Sequence, residues 1–291
     1  MKVGIFTPGD NKVHQKALKA FAEGVAKVNE DVTIYSVDNY TPVDVAIVFG
    51  IGKQGVPCSY ARGNVIRQQR LAGKDVIVIE KGFVKRDEYY MVGLNGLNNH
   101  AEFHNLACPA DRWELLDVNL HPRRTEGQHI IVCGQVPSDA SVQDIDIIQW
   151  CQKTCTDLRS MTDKPVVFRA HPLARSRTPD MLGVINSRND TLMDDLYGAY
   201  ACITYNSNAA VEAVIAGVPA FSFNAGSMAH NVTSHDLRMI NNPFFPSESA
   251  RKQWACDLAY TQWTLDEMRT GRPYLRLMSS GFSFSEVQNG D

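Results

Sequence analysis

No Cys-x-x-Cys pair occurs among the seven cysteines of the sequence. They stand at 58, 108, 133, 151, 155, 202 and 256, an odd, scattered set that argues against a disulfide framework and predicts reduced thiols, several packed as small apolar side chains. Cys151 and Cys155 are one helical turn apart with no second ligand pair nearby in sequence, so no metal is expected there. His100 and His104 share that spacing, but Glu102 falls one position late for His-Glu-x-x-His, which argues against a metalloprotease. No apolar run approaches the ~20 residues that span a bilayer. The opening Met-Lys-Val-Gly-Ile-Phe-Thr is broken by Pro8 too soon for a secretory segment. A cytoplasmic chain with no membrane span is expected. Nor does either sign of charge dominate: a formal net charge of -3 argues against broad nucleic-acid affinity.

What is present is an ordinary globular composition, 44% hydrophobic and 21% charged over 291 residues, a size at which one core tends to split into two. Strand-like runs at Lys2 to Thr7, Val32 to Val37, Val45 to Phe49 and Val76 to Glu80 are interleaved with helical patterns at Asn11 to Val28 and Ser59 to Leu71. The polar, Pro- and Gly-bearing stretch Asn119 to Gln128 reads as a linker before a fresh strand at His129 to Cys133. The pattern predicts an α/β chain of two Rossmann-like, doubly wound domains. The expected divisions are 1–125 for a first domain, 126–246 for a second, and a C-terminal helical run over 247–291 that crosses back to the first domain or closes the second.

The segment Pro165-Val-Val-Phe-Arg-Ala-His-Pro172 is an apolar run that ends abruptly in polar residues, as a buried parallel strand does where it delivers side chains to the carboxyl edge of its sheet. Arg169 and His171 leave the strand together. Farther on, Asn206-Ser207 follows the strand at Ala201 to Tyr205 and sits where an N-cap belongs, which aims the backbone N–H groups of a Ser207 to Ala216 helix at an anion. Gly217 and Pro219 end that helix, and Glu212 lies within it. Two cations and a helix N-terminus suit a diphosphate without a metal. Singly, a His-Pro is often a turn and Glu212 a solvated helix residue; the order of the elements carries the inference.

That order resembles the donor half of a GT-B glycosyltransferase, with its cleft between two Rossmann-like domains. The resemblance implies that Arg169 and His171 hold a nucleotide diphosphate, that Asn206, Ser207 and Asn208 add donors, and that Glu212 accepts from ribose hydroxyls. It also implies a nucleotide sugar, expected to be a UDP-sugar, as co-substrate and no further cofactor. The stretch Val76-Ile-Val-Ile-Glu-Lys-Gly-Phe-Val-Lys-Arg86 is similar to the Glu-Asp-Gly-Phe-x-Arg stretch of capsule-polysaccharide synthases, including bacterial β-Kdo transferases, and to small phage-encoded glycosyltransferases. Lys81 stands where those capsule enzymes have an acid, which leaves Glu80 as the surviving carboxylate. Gly50-Ile-Gly52-Lys-Gln-Gly55 after the third strand run satisfies the dinucleotide pattern and keeps an NAD-dependent oxidoreductase open. Pro57 and Cys58 interrupt the helix that should follow, which argues against the dinucleotide reading and for a glycine-rich wall that an acceptor or phosphate can approach.

An acceptor hydroxyl must lose a proton as it attacks the anomeric carbon, so a carboxylate or His of the first domain is needed. Glu80 and Asp10 both sit at strand ends, Asp10 also serving as a candidate helix cap, and His14 is a third candidate. Residues 1–125 carry 16 Lys and Arg against 14 Asp and Glu, while the remainder carries 13 against 18. The basic residues Arg62, Arg67, Arg70, Lys74, Lys81, Lys85 and Arg86, with Gly52 at the loop and Arg123 and Arg124 in the linker, form an expected acceptor footprint for a phosphate backbone. The favoured acceptor on this reading is a flipped 5-hydroxymethyl pyrimidine in phage DNA, modified in the host cytoplasm. A capsule or lipopolysaccharide sugar acceptor is the second reading, and a non-enzymatic sugar-nucleotide-binding protein the third.

Overall fold

The computed structural model describes residues 1–9, 11–52 and 57–279, and no side chain of 57–59 enters the account below. In chain order the elements are β1 (Val3–Thr7), α1 (Lys12–Val25), β2 (Val32–Ser36), β3 (Val45–Phe49), α2 (Pro57–Leu71), β4 (Asp75–Lys81), β5 (Tyr89–Leu94), α3 (Asp111–Leu115), β6 (His129–Cys133), α4 (Ile147–Met161), β7 (Val166–Arg169), β8 (Ile185–Asn186), α5 (Leu192–Leu196), β9 (Ala199–Thr204), α6 (Ala209–Ile215), β10 (Ala220–Ser222), α7 (Glu248–Ala259), β11 (Gln262–Thr264), α8 (Leu265–Met268) and α9 (Arg272–Met278). They form two compact units, Met1–Cys108 with Asp257–Asp291, and Pro109–Cys256.

The first unit is built on a sheet of order β11-β5-β4-β3-β1-β2. Strands β2, β1, β3 and β4 are parallel, while β5 runs antiparallel to β4 and β11 antiparallel to β5. Every residue of β3, Val-Ala-Ile-Val-Phe, is buried, the signature of a strand covered on both faces. On one face Ile5, Ile47 and Ile77 pack with Ala17, Leu18 and Phe21 of α1 and with Met268, Tyr274 and Leu277. Asn11 starts α1, its Oδ1 accepting from the N–H groups of Val13 and His14, both at 3.1 Å. Gly24 lets α1 approach the α8 backbone: a Cβ there would lie 1.9 Å from the Met268 carbonyl oxygen.

The second unit has an all-parallel sheet of order β10-β9-β6-β7-β8. Ile147, Cys151, Cys155 and Leu158 of α4 cover one face, packing with Ile130, Val132, Phe168 and Ile203. Side chains alternate across a strand, so Cys133 and Cys202 belong to the other face. Their Sγ atoms are 3.9 Å apart, and Cys202 reaches toward the Ala209 carbonyl at the start of α6. The six cysteines whose side chains are described are buried. Burial pushes the thiols of Cys108 and Cys155 up to about 12, which keeps them protonated and unreactive at neutral pH.

Two boundaries differ from those read off the sequence. The units divide after Cys108, not at 125, because the polar 119–128 stretch bonds into the second unit. The His121 N–H donates to the Ile215 carbonyl at 2.9 Å, and the Arg124 N–H to Gly217 at 2.7 Å. Gly217 has φ 77°, and a Cβ on it would lie 2.0 Å from the Pro122 carbonyl oxygen. The helical run expected over 247–291 is also broken. Helix α7 ends at Ala259, Gln262–Thr264 pair with β5, and Thr264 then starts α8 with a capping box to Glu267. Among the described residues no helix is long and apolar enough to cross a membrane.

Candidate functional site

In the first unit β1 lies between β2 and β3, so the connections leaving β1 and β3 diverge and a crevice opens at their carboxyl ends, the place where open α/β sheets bind ligands. Gly50, at φ 70°, follows β3 there. A Cβ on Gly50 would lie 3.1 Å from Glu80 Oε2 and 3.4 Å from Arg62 Nη1, so a carboxylate and a guanidinium converge on a position only glycine leaves open. Glu80, near the end of β4, is steadied by the Lys81 N–H, which donates to its Oε1 at 2.9 Å. Arg62 is only 8% exposed, and its Nη1 donates to the Phe49 carbonyl at 2.7 Å and lies 3.5 Å from His14 Nδ1. The His14 ring stacks on Phe49 with centroids 4.1 Å apart, and its Nε2 is 3.2 Å from Asn11 Nδ2. Glu80, His14 and Arg62 thus form one cluster. Asp10 and Gly55 lie outside the described residues.

The expected basic footprint is not continuous. Arg62 is an internal residue of the cluster just described. Arg67 and Arg70 are exposed on α2, bonding Asn64 Oδ1 at 2.9 Å and the Asn95 carbonyl at 3.3 Å. Asn95 bonds Val76 and Asp75 at the amino end of β4, so Arg70 belongs to the opposite edge of the sheet from Glu80. Five residues of strand from Asp75 to Glu80 separate the two edges by about 17 Å. Lys81 turns to the β4–β5 connection, donating to the Arg86 carbonyl at 3.3 Å and facing Asp87 at 3.8 Å. Of the expected acceptor residues, Gly52 (φ 91°), Lys81, Lys85 and Arg86 stay on the Glu80 side, together with the buried Arg62.

In the second unit β6 lies between β7 and β9, which sets the switch point at Gln135 and Asn206. Gln135 and Asn206 bond each other twice: Gln135 Nε2 donates to Asn206 Oδ1 at 2.7 Å, and the Asn206 N–H to Gln135 Oε1 at 3.1 Å. Asn206 Nδ2 also donates to the Ser141 carbonyl at 2.6 Å. Beside them the Tyr205 hydroxyl donates to Asp144 at 2.5 Å, and burial, helped by that carboxylate, raises the phenol above its ordinary value. Gln135, Asp144, Tyr205 and Asn224 were missed in the sequence. Gln135, Tyr205 and Asn224 are marked only by lying just beyond apolar strands, and Asp144 comes from the connection that leads into α4.

Arg169 has a different occupation from the one expected. Its guanidinium is buried, 5% exposed, with Nη1 donating to Asp195 Oδ2 at 2.6 Å and to the Asn189 carbonyl at 2.9 Å, and Nη2 to the Asp190 carbonyl at 2.8 Å. Asp195, itself 3% exposed, also accepts from the Ser187 hydroxyl and from Asn189. A desolvated cation needs such a partner, and this one comes from the first turn of α5, 26 residues along the chain. The paired Arg169–His171 clasp is therefore not assembled. His171 caps the turn at Pro172–Arg177, where its Nδ1 accepts from the Leu173 N–H at 3.2 Å, so the neutral ring carries its proton on Nε2. The N-cap of α6 falls at Asn208 instead of Asn206–Ser207, since the Asn206 side chain is committed to Gln135 and Ser141. Ser207 Oγ accepts from the Ala209 N–H at 3.2 Å, and Asn208 Nδ2 donates to Glu212 Oε1 at 3.0 Å. Among the described residues no three His, Cys, Asp or Glu side chains come together as a metal site.

No protein-family model and no curated protein matches the chain. Among solved structures it is similar to Thermosulfurimonas dismutans KpsC, a β-Kdo 2,7-transferase, with a TM-score of 0.55 and 14% identity over 95% of this chain and 100% of that one. The β-Kdo 2,4-transferase of the same organism's KpsC gives 0.55 and 12% identity over 88% and 89%. At these identities the likeness is one of fold. Two Rossmann-like units, each with its switch point at the carboxyl edge of a parallel core, give this chain the GT-B glycosyltransferase fold.

Proposed function

We propose that the chain is a glycosyltransferase that moves a sugar from a nucleotide sugar to a hydroxyl of a bacterial surface-type glycan, with Glu80 as general base. The observation that carries this is the approach of Glu80 Oε2 to Gly50 at the switch point of the first sheet. A carboxylate held there, with an open backbone beside it, suits deprotonation of a bound hydroxyl. The acceptor oxygen forms its bond to the anomeric carbon as its proton passes to Glu80, and the bond from that carbon to the leaving phosphate oxygen breaks. In the second unit His171 Nε2–H is the donor for the leaving phosphate, Glu212 accepts from the ribose, and the Ser207–Asn208 turn contributes donors. Arg169 supports this site by holding the 187–195 segment. A glycan acceptor is favoured over DNA because Arg62 is buried within the Glu80 cluster and Arg70 lies at the opposite edge of the sheet, which leaves α2 without a continuous basic track beside Glu80.

The test is incubation with a panel of nucleotide sugars and either glycolipid acceptors or 5-hydroxymethylated DNA, read by mass spectrometry of the acceptor. A mass gain on the glycolipid is expected, with Glu80→Gln lowering turnover by ~10² to 10⁴ and leaving nucleotide affinity nearly intact. Modification of the DNA alone would reverse the acceptor assignment. Turnover of Glu80→Gln near wild type would move the base to His14 or Asp10.

A further inference from the structure

A cavity of about 390 Å³ in the second unit lies between the Trp113–Leu120 segment and α7. Its wall includes Arg251, which is 4% exposed and forms no ion pair within 4 Å among the described residues. The guanidinium makes a single long hydrogen bond, Nη1 to the Val214 carbonyl at 3.4 Å, and its Nε is buried without a partner. Phe245 lies against it, with the guanidinium carbon 5.1 Å from the ring centroid. The carbonyl at the end of α6 and the aromatic face offset part of the charge. Burial nonetheless holds the Arg251 guanidinium below its ordinary value, against the raising influence of Glu248 one turn earlier. Asp195 shows what this protein does with a buried arginine that is complete within the fold; Arg251 has no such carboxylate.

We propose that this cavity binds a small monocarboxylate whose far end carries hydrogen-bond donors, with the carboxylate on Arg251. The donors follow from the rim: Glu114, Asp117 and Glu248 are exposed acids, with Lys252 as the second cation. Three carboxylates against two cations disfavour a polyphosphate or a dianion, yet they accept well from hydroxyl or ammonium groups. Trp113 supplies an apolar wall. The volume falls in the range of small-ligand sites. The site is separate from the reaction machinery, because Val214 lies in the last turn of α6, the end opposite Asn208.

Two sources share this chemistry, acidic sugars and amino acids, and calorimetry on the full chain separates them. D-glucuronate is paired with methyl glucoside, and L-leucine with leucinamide, each twin carrying a hydroxymethyl or carboxamide group in place of the carboxylate that Arg251 would hold. One acid is expected to bind saturably while its twin does not, without displacement by UDP. Arg251→Gln should weaken that binding by about 10-fold or more, the scale of a charge-assisted hydrogen bond. Leu120→Trp, which fills the cavity from its apolar side, should abolish binding and keeps the test open if Arg251→Gln fails to fold. The proposal is overturned if neither acid binds at ~10 mM, beyond the weak end of specific affinity. Equal binding of a twin, displacement by UDP, or undiminished binding to either variant overturns it as well.

Discussion

Two buried arginines of the second unit show how the same side chain takes opposite roles. Arg169 satisfies its guanidinium inside the fold, through Asp195 and two backbone carbonyls, whereas Arg251 lines a cavity and makes one long hydrogen bond, to the Val214 carbonyl. Breaking a buried ion pair by removing one partner leaves a desolvated charge behind, at a cost of about 3–5 kcal/mol. Arg169→Ala is therefore expected to lower unfolding stability on that scale in urea titrations, with Asp195→Ala similar and the double variant well short of the sum. A variant that keeps wild-type stability while losing nucleotide affinity would return Arg169 to the diphosphate. Arg169 was visible in the sequence as a charge at a strand end, but its partner was not, because Asp195 arrives from a short helix whose only local mark is the Thr191-to-Asp194 capping box.

At the scale of elements, the strands were the most legible part of the chain. The run Val45–Phe49 reads as a doubly covered strand because apolar residues on both faces admit no other placement in a sheet of this kind. Elements ruled by long-range pairing were not legible. The Gln262–Thr264 strand is hidden in a helical pattern, and only its antiparallel partner β5 makes it extended. The same limit applies to the site: Glu80 follows from its strand end, while the approach of Arg62 to Gly50, with His14 beside Arg62, depends on how α1 and α2 return over the sheet. Gln262 has a local task as well. Fully buried, it accepts from the N–H groups of Phe83 and Val84 at 2.8 and 3.0 Å and donates to the Val84 carbonyl at 3.1 Å, pinning the backbone just beyond Glu80. Gln262→Leu would leave two buried N–H donors and a carbonyl without these bonds, and a loss of about 2–4 kcal/mol is expected. Transfer activity should fall with it while nucleotide binding to the second unit holds, which calorimetry and a turnover assay together can read. Equal loss of both would mean that the substitution unfolds more than the first unit.

At the scale of the whole molecule, the first unit is discontinuous in sequence and the second is continuous. The C-terminal residues supply the first unit with an edge strand, two helices and the Gln262 pin, and Gly24 is shaped to receive them. A chain ending at Cys256 should keep a protease-resistant fragment spanning the second unit while residues 1–108 are digested. Resistance of both regions would show that the first sheet stands without β11. The discontinuity also inverts the usual order in which a protein is finished on the ribosome. The amino-terminal residues emerge first, yet they must wait for residues 257–279, and at ~5–20 residues per second those last residues alone take about 1–5 s to make. The second unit can close in the meantime, so the half that carries Glu80 is completed last, held until then as a nascent segment with its apolar β5 edge unpaired and exposed to chaperones.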